Sequence, residues 1–161
     1  MADEWVFPKG ELMRGKRGLV MGVANDKSIA WGIAQQLAAQ GAEIAFTYQG
    51  EALEKRIRPL AESVGSQIVL ECDATNDQHL DAVFDRLKTT WGKLDFLVHS
   101  IAFSDKNELK GSFIENTSRE NFLRSMDISA FSFVAAGKRA AKLMDRGGSM
   151  LTLTYLGAER V

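Results

Sequence analysis

Tyr155 has the most direct chemical use in this sequence. A phenol is protonated at neutral pH and can donate toward a carbonyl oxygen as negative charge develops there, although the same side chain can equally be an amphipathic packing residue. Asp73 offers a short carboxylate that can accept from an adenine amino group or cap the turn before Asn76, and the residue alone favours capping. Gln49 can donate to or accept from a ribose hydroxyl, or be a solvated turn residue. Ile101 and Ala102 can lie under a flat ring or extend an apolar strand, and His99 can orient a cofactor or sit satisfied in the core. With one cysteine, Cys72, and only His79 and His99 beside it, no zinc-like ligand spacing exists and no metal is expected.

One turn carries a different kind of chemistry. Gly22-Val23-Ala24-Asn25-Asp26-Lys27-Ser28-Ile29 joins an apolar strand to an amphipathic helix. A backbone bare of side chains at Gly22 can approach phosphate oxygens, while a helix starting near Ser28 directs unpaired N–H groups and its positive dipole end at the same place. Of the usual G-x-G-x-x-G spacing only Gly22 and Gly32 remain, so an ordinary strand-to-helix loop is also compatible.

Positioning these groups takes a repeated βα pattern. Residues 18–23 read as a strand, 28–40 as a helix ended by Gly41, 43–48 as a strand, 50–64 as a helix ended by Gly65, and 67–72 as a strand. Asn76 caps a third helix that Gly92 closes before strand 94–99. An irregular segment over 100–116 precedes one long helix, opened by a Thr117–Glu120 capping box and running to about Met144, and strand 149–154 follows. Strands separated by such helices pair in parallel through right-handed crossovers, giving an α/β, Rossmann-like doubly wound sheet of order 3-2-1-4-5. Ligands bind such sheets at the carboxyl ends of the strands, where Gly22, Gln49, Asp73, Ser100 to Ala102 and Tyr155 all fall.

The 161 residues are read as an N-terminal tail, 1–15, whose Trp5, Val6 and Phe7 could pack on the domain or a neighbouring subunit, and a dinucleotide-binding domain over 16–161. An apolar fraction of 45%, a charged fraction of 25% and a net charge of −1 give no reason to expect nucleic acid or a membrane surface as partner. Neither a signal-peptide pattern nor a membrane span is present, so a cytoplasmic location is expected. At the end of the second strand a carboxylate would select NAD and an arginine NADP; Gln49 has no basic residue directly beside it, which leans to NAD(H), with Lys55 and Arg56 on the next helix keeping NADP(H) open.

Taken together, Gly22-Val23-Ala24, Ser28-Ile29-Ala30, Gly32-Ile33-Ala34, Ala45 to Gln49, Cys72-Asp73, Val98 to Phe103, Asp127-Ile128-Ser129 and Leu151 to Arg160 resemble the bacterial NADH-dependent enoyl-acyl carrier protein reductases, a divergent branch of the short-chain dehydrogenase/reductase superfamily. The likeness runs from about Lys16 to the last residue and implies that Gly22, Ser28, Ile29, Gln49, Asp73, Ala74 and Ile101 contact NADH. It places Ser104 near the acyl substrate and makes Tyr155 the first of two active-site tyrosines. The implied reaction is reduction of a trans-2-enoyl thioester carried by acyl carrier protein, with hydride added to the β-carbon and a proton to the α-carbon. The resemblance also implies a homotetramer.

The pattern departs from the family after Tyr155: a second Tyr, a Lys six residues beyond it and the last strands are expected in relatives, and Glu159 stands where Tyr-x3-Lys would need lysine. The expectation is therefore an incomplete domain, inactive alone toward enoyl thioesters, whose fifth strand presents an open edge. A non-catalytic NAD-binding module and a short-chain reductase for another substrate are the alternatives.

Overall fold

The computed structural model describes residues 8–160. Five strands, β1 (Arg17–Met21), β2 (Glu43–Tyr48), β3 (Ile68–Glu71), β4 (Phe96–His99) and β5 (Ser149–Thr152), form one sheet of order β3-β2-β1-β4-β5. Every neighbouring pair is parallel, with Leu19 opposite Ala45 on one side and Leu97 on the other. The expected topology is the observed one.

Alternation along β1 explains why both faces are covered. Leu19 and Met21 point into a core shared with α3 (Asp77–Trp91) and α6 (Ser132–Ala140), through Leu80, Phe84, Leu87 and Ala136. Val20 points the other way, into a core with α1 (Ile29–Ala39) and α2 (Glu51–Ser63), through Trp31, Ala34, Phe46, Ile57 and Ala61. A strand buried on both faces needs a continuous apolar run, which Gly18 to Met21 supplies. The helices stop where left-handed glycines follow: Gly41, Gly65 and Gly92 have φ of 90°, 76° and 71°.

The expected tail is tied down over its described part. Gly10 N–H donates to the Ala39 carbonyl at 2.9 Å, Met13 N–H to Gln40 at 2.8 Å, and Met13 packs against the core beside α1. Trp5, Val6 and Phe7 lie outside the described residues.

The single long helix expected after residue 117 is not observed. The irregular segment contains a short helix, α4 (Phe113–Asn116); α5 (Arg119–Met126) follows, then a π-helical turn (Asp127–Phe131), α6 and a 3-10 turn (Ala141–Leu143). The cap of α5 is Ser118, which accepts from Asn121 N–H at 3.1 Å, whereas the Thr117 hydroxyl donates back to the Phe113 carbonyl at 2.6 Å. A π turn inserts one extra residue, rotating the following face of the run relative to the preceding one. β5 pairs with β4 alone among the described strands, and Leu151 on it and Leu153 just past its end are exposed, as expected of an open edge.

Candidate functional site

The carboxyl ends of the strands surround a cleft of about 330 Å³, lined by the turn after β1, the segments after β2, β3 and β4, and the α5–π junction. Gly22, Gln49, Asp73, Ala74 and Ile101 all line it. Ser28, Ile29, Ser104 and Tyr155 do not; Ser28 and Ile29 stand just behind the turn, and Tyr155 is exposed three residues beyond the end of β5.

Gly22 is required by the chain itself. Its φ is +96°, and a Cβ there would lie 1.9 Å from the Ser100 carbonyl oxygen, because Ser100 N–H continues the β1–β4 ladder by bonding Met21 O at 3.0 Å. The turn passes directly against the end of β4 and leaves bare backbone facing the cleft. At Gly32, by contrast, a Cβ would meet nothing within 4 Å, so packing among the described residues does not demand glycine there.

Ser28 shapes the turn rather than capping the helix. Its Oγ accepts from Ala24 N–H at 3.0 Å and Asn25 N–H at 3.1 Å, and it makes no cap bond to α1. Asn25 Oδ1 in turn accepts from Lys27 N–H at 2.9 Å. The Ser28 carbonyl takes the first helical bonds, from Trp31 and Gly32, which leaves the Ile29 and Ala30 N–H groups at the positive end of the helix without a bond of that kind.

Asp73 is built into its own turn. Oδ1 accepts from Thr75 N–H at 2.9 Å and Thr75 Oγ1 at 2.8 Å, while its backbone N–H donates to His79 Nδ1 at 3.1 Å. Partial burial pushes its carboxyl up, but the bonds from Thr75 and the Gln49 amide outweigh that and hold it below the usual aspartate range. The carboxylate is ionised at neutral pH and keeps acceptor capacity toward the cleft. Asp73 thus caps the turn before Asn76, and Asn76 caps α3 by accepting from the Gln78 and His79 N–H groups, as expected. Beside Asp73, burial and the neighbouring carboxylate push the Cys72 thiol up to about 12, which removes it as a nucleophile.

His99 is fully buried at the end of β4. Its Nε2 lies 2.7 Å from Ser132 Oγ and its Nδ1 3.3 Å from Thr152 Oγ1. Since the Ser132 hydroxyl donates to the Ile128 carbonyl at 2.6 Å, the network assigns the proton to Nε2 and leaves Nδ1 to accept from Thr152. Of the two readings of His99, the core one holds. Its partners fix the π turn and the end of β5 around the cleft.

Ser104 accepts from Asn121 Nδ2 at 3.1 Å, and Asn121 also holds Glu108 and the Asp105 backbone, fastening the loop after β4 to α5. His79, Ser132, Thr152, Asn121 and Arg124 escaped the sequence reading. Their roles depend on which elements meet, and no local spacing marks them. No group of three or more potential metal ligands occurs among the described residues.

The family model for enoyl-(acyl carrier protein) reductase matches residues 22–161. The chain is 64% identical over 150 residues to enoyl-(acyl-carrier-protein) reductase (NADH) 2 of Rhizobium meliloti (strain 1021), covering 93% of this chain and 56% of that relative. The crystal structure of the Anaplasma phagocytophilum enoyl-(acyl-carrier-protein) reductase in complex with NAD superposes with a TM-score of 0.92 at 52% identity, over 97% of this chain and 60% of the other. The Bacillus cereus enoyl-acyl carrier protein reductase, solved with NADP+ and an indole naphthyridinone, gives 0.89 at 50% identity, over 94% and 59%. The chain thus spans little more than half the length of the relatives it matches. The bare turn at Gly22, the Asp73 turn and the apolar Ile101 stand on a sheet that these reductases share, and the chain belongs to the enoyl-(acyl carrier protein) reductase family.

Proposed function

We propose that this chain forms the dinucleotide-binding part of an NADH-dependent reductase of trans-2-enoyl thioesters carried by acyl carrier protein. The observation that carries the reading is the joint placement of Gly22, Gln49, Asp73, Ala74 and Ile101 around one cleft at the strand ends. The residues fit the cofactor: bare backbone at Gly22 and the Ile29 and Ala30 N–H groups suit a diphosphate, Asp73 suits the adenine amino group, and Ile101 suits a flat ring. Ser28 serves by holding the turn.

Gln49 offers an uncharged amide to the ribose hydroxyl, and Lys55 is paired with Glu51 at 2.7 Å, which supports NADH over NADPH. When bound, NADH supplies the hydride. Tyr155 then donates toward the thioester carbonyl oxygen as charge develops there, and Ser104 lies on the substrate side of the loop after β4. No helix among the described residues is long and apolar enough to cross a membrane. Family membership supports a cytoplasmic homotetramer.

Quenching of intrinsic fluorescence on NADH titration tests the reading. Saturable binding that ADP-ribose displaces is expected, and absence of binding overturns it. Since the chain alone is expected to be inactive, binding checks the substrate class: tighter binding of a trans-2-enoyl thioester than of a ketone by the NADH-loaded chain supports it, and the reverse order contradicts it.

A further inference from the structure

We propose that Arg124 is the cationic contact for a phosphate of the ligand that enters the cleft, an assignment that rests on the nucleotide-binding reading above. The cleft lining carries two carboxylates, Asp73 and Asp127, and one cation, Arg124, among the described residues. The two carboxylates repel a phosphate-bearing ligand, and Arg124 is the side chain of the lining that attracts one.

That charge is not neutralised within the fold. Among the described residues the ion pairs do not include Arg124, although Asp127 stands one turn further along the same helical run. Its guanidinium carbon lies 4.5 Å from the centroid of the Phe103 ring. The Phe103 backbone that carries this ring is held in place: its N–H donates to Ser129 Oγ at 3.0 Å and its carbonyl accepts from that hydroxyl at 3.3 Å. A guanidinium resting on an aromatic face keeps its N–H edge available for a phosphate, and a fixed platform limits the rotamer freedom lost on binding.

Two phosphates can reach such a contact, the dinucleotide's diphosphate and the phosphate of a phosphopantetheine thioester. The diphosphate is the better match, because Arg124 lines the same cleft as the Gly22 turn. The test is calorimetric titration of the wild-type chain, R124Q and F103L with NADH, ADP, adenosine, pantetheine 4′-phosphate and pantetheine. For R124Q the expected loss is about tenfold in NADH and ADP affinity, with adenosine unchanged and a shallower salt dependence. F103L, which keeps the charge and removes its platform, should lose about threefold.

R124Q weakening pantetheine 4′-phosphate relative to pantetheine, with NADH and ADP unchanged, would keep the phosphate contact and assign it to the substrate carrier. Unchanged binding of every phosphate ligand by R124Q overturns the assignment while leaving the cleft a nucleotide site. Failure of the wild-type chain to bind any of them overturns both.

Discussion

His99 Nε2 lies 2.7 Å from Ser132 Oγ, which opens α6 and donates to the Ile128 carbonyl in the π turn that borders the cleft, so the buried end of β4 is tied to that turn through one hydroxyl. Ser132→Ala would leave the imidazole N–H buried without an acceptor, at a cost of about 1–3 kcal/mol. Thr152→Val removes the longer contact at 3.3 Å and should cost less. Urea unfolding of the two variants checks both the size and the order.

The same residue gives the fold a pH dependence with a definite sign. Burial, opposed by a hydrogen bond, holds the His99 pKa below its ordinary 6.5. Between the folded and unfolded values the unfolded chain binds a proton that the folded chain does not, so this contribution is complete above about 6.5 and is lost as pH falls below it. His99→Gln, which does not titrate, should flatten that part of the profile. Unfolding midpoints across this window, compared between the wild type and the variant, measure it.

Two glycines of one fingerprint should behave oppositely. Gly22→Ala places a Cβ 1.9 Å from the Ser100 carbonyl oxygen at φ +96°, and a loss of about 1–3 kcal/mol or more is expected, together with loss of NADH binding. Gly32→Ala meets nothing within 4 Å inside α1 and should gain about 0.5–1 kcal/mol. Thermal melts separate the two.

Much of this was legible because the pattern is local. Apolar runs at β1, β2 and β4, glycine stops at Gly41, Gly65 and Gly92 and the Asn76 cap mark the βα units, and the parallel order follows from crossover rules. The break at Asp127–Phe131 was not legible, since residues 117–144 keep helical spacing without proline. The contacts at that break join it to distant segments: Ser132 to His99, and Ser129 to Phe103. No local spacing marks Arg124, whose contact with Phe103 depends on where the loop after β4 meets α5. Asp73 was ambiguous because one carboxylate serves an Asx turn and an adenine site with the same geometry, and only the Thr75 bonds show how the turn is held.

Asp73 should discriminate between bases. A carboxylate held in its charged form by Thr75 and Gln49 accepts from an adenine amino group and repels a carbonyl oxygen in its place. Wild-type chain should therefore bind NADH about tenfold more tightly than its hypoxanthine analogue, and Asp73→Ala should lose most of that preference. Paired titrations decide it.

Cofactor choice should turn on Gln49. Gln49→Arg adds a cation beside the ribose and should raise NADPH affinity relative to NADH by about tenfold, read as the ratio of dissociation constants.

A dinucleotide bound at the carboxyl ends of the strands, as proposed, would be located by amide chemical shifts of the isotope-labelled chain during NADH titration. Perturbations are expected to be confined to the Gly22–Ala30 turn, Gln49, Asp73 to Thr75 and Ile101, with Gly41, Gly65, Gly92 and Gly147 at the opposite ends of the strands unmoved. Perturbations clustered at those glycines, or none at saturating NADH, would contradict it.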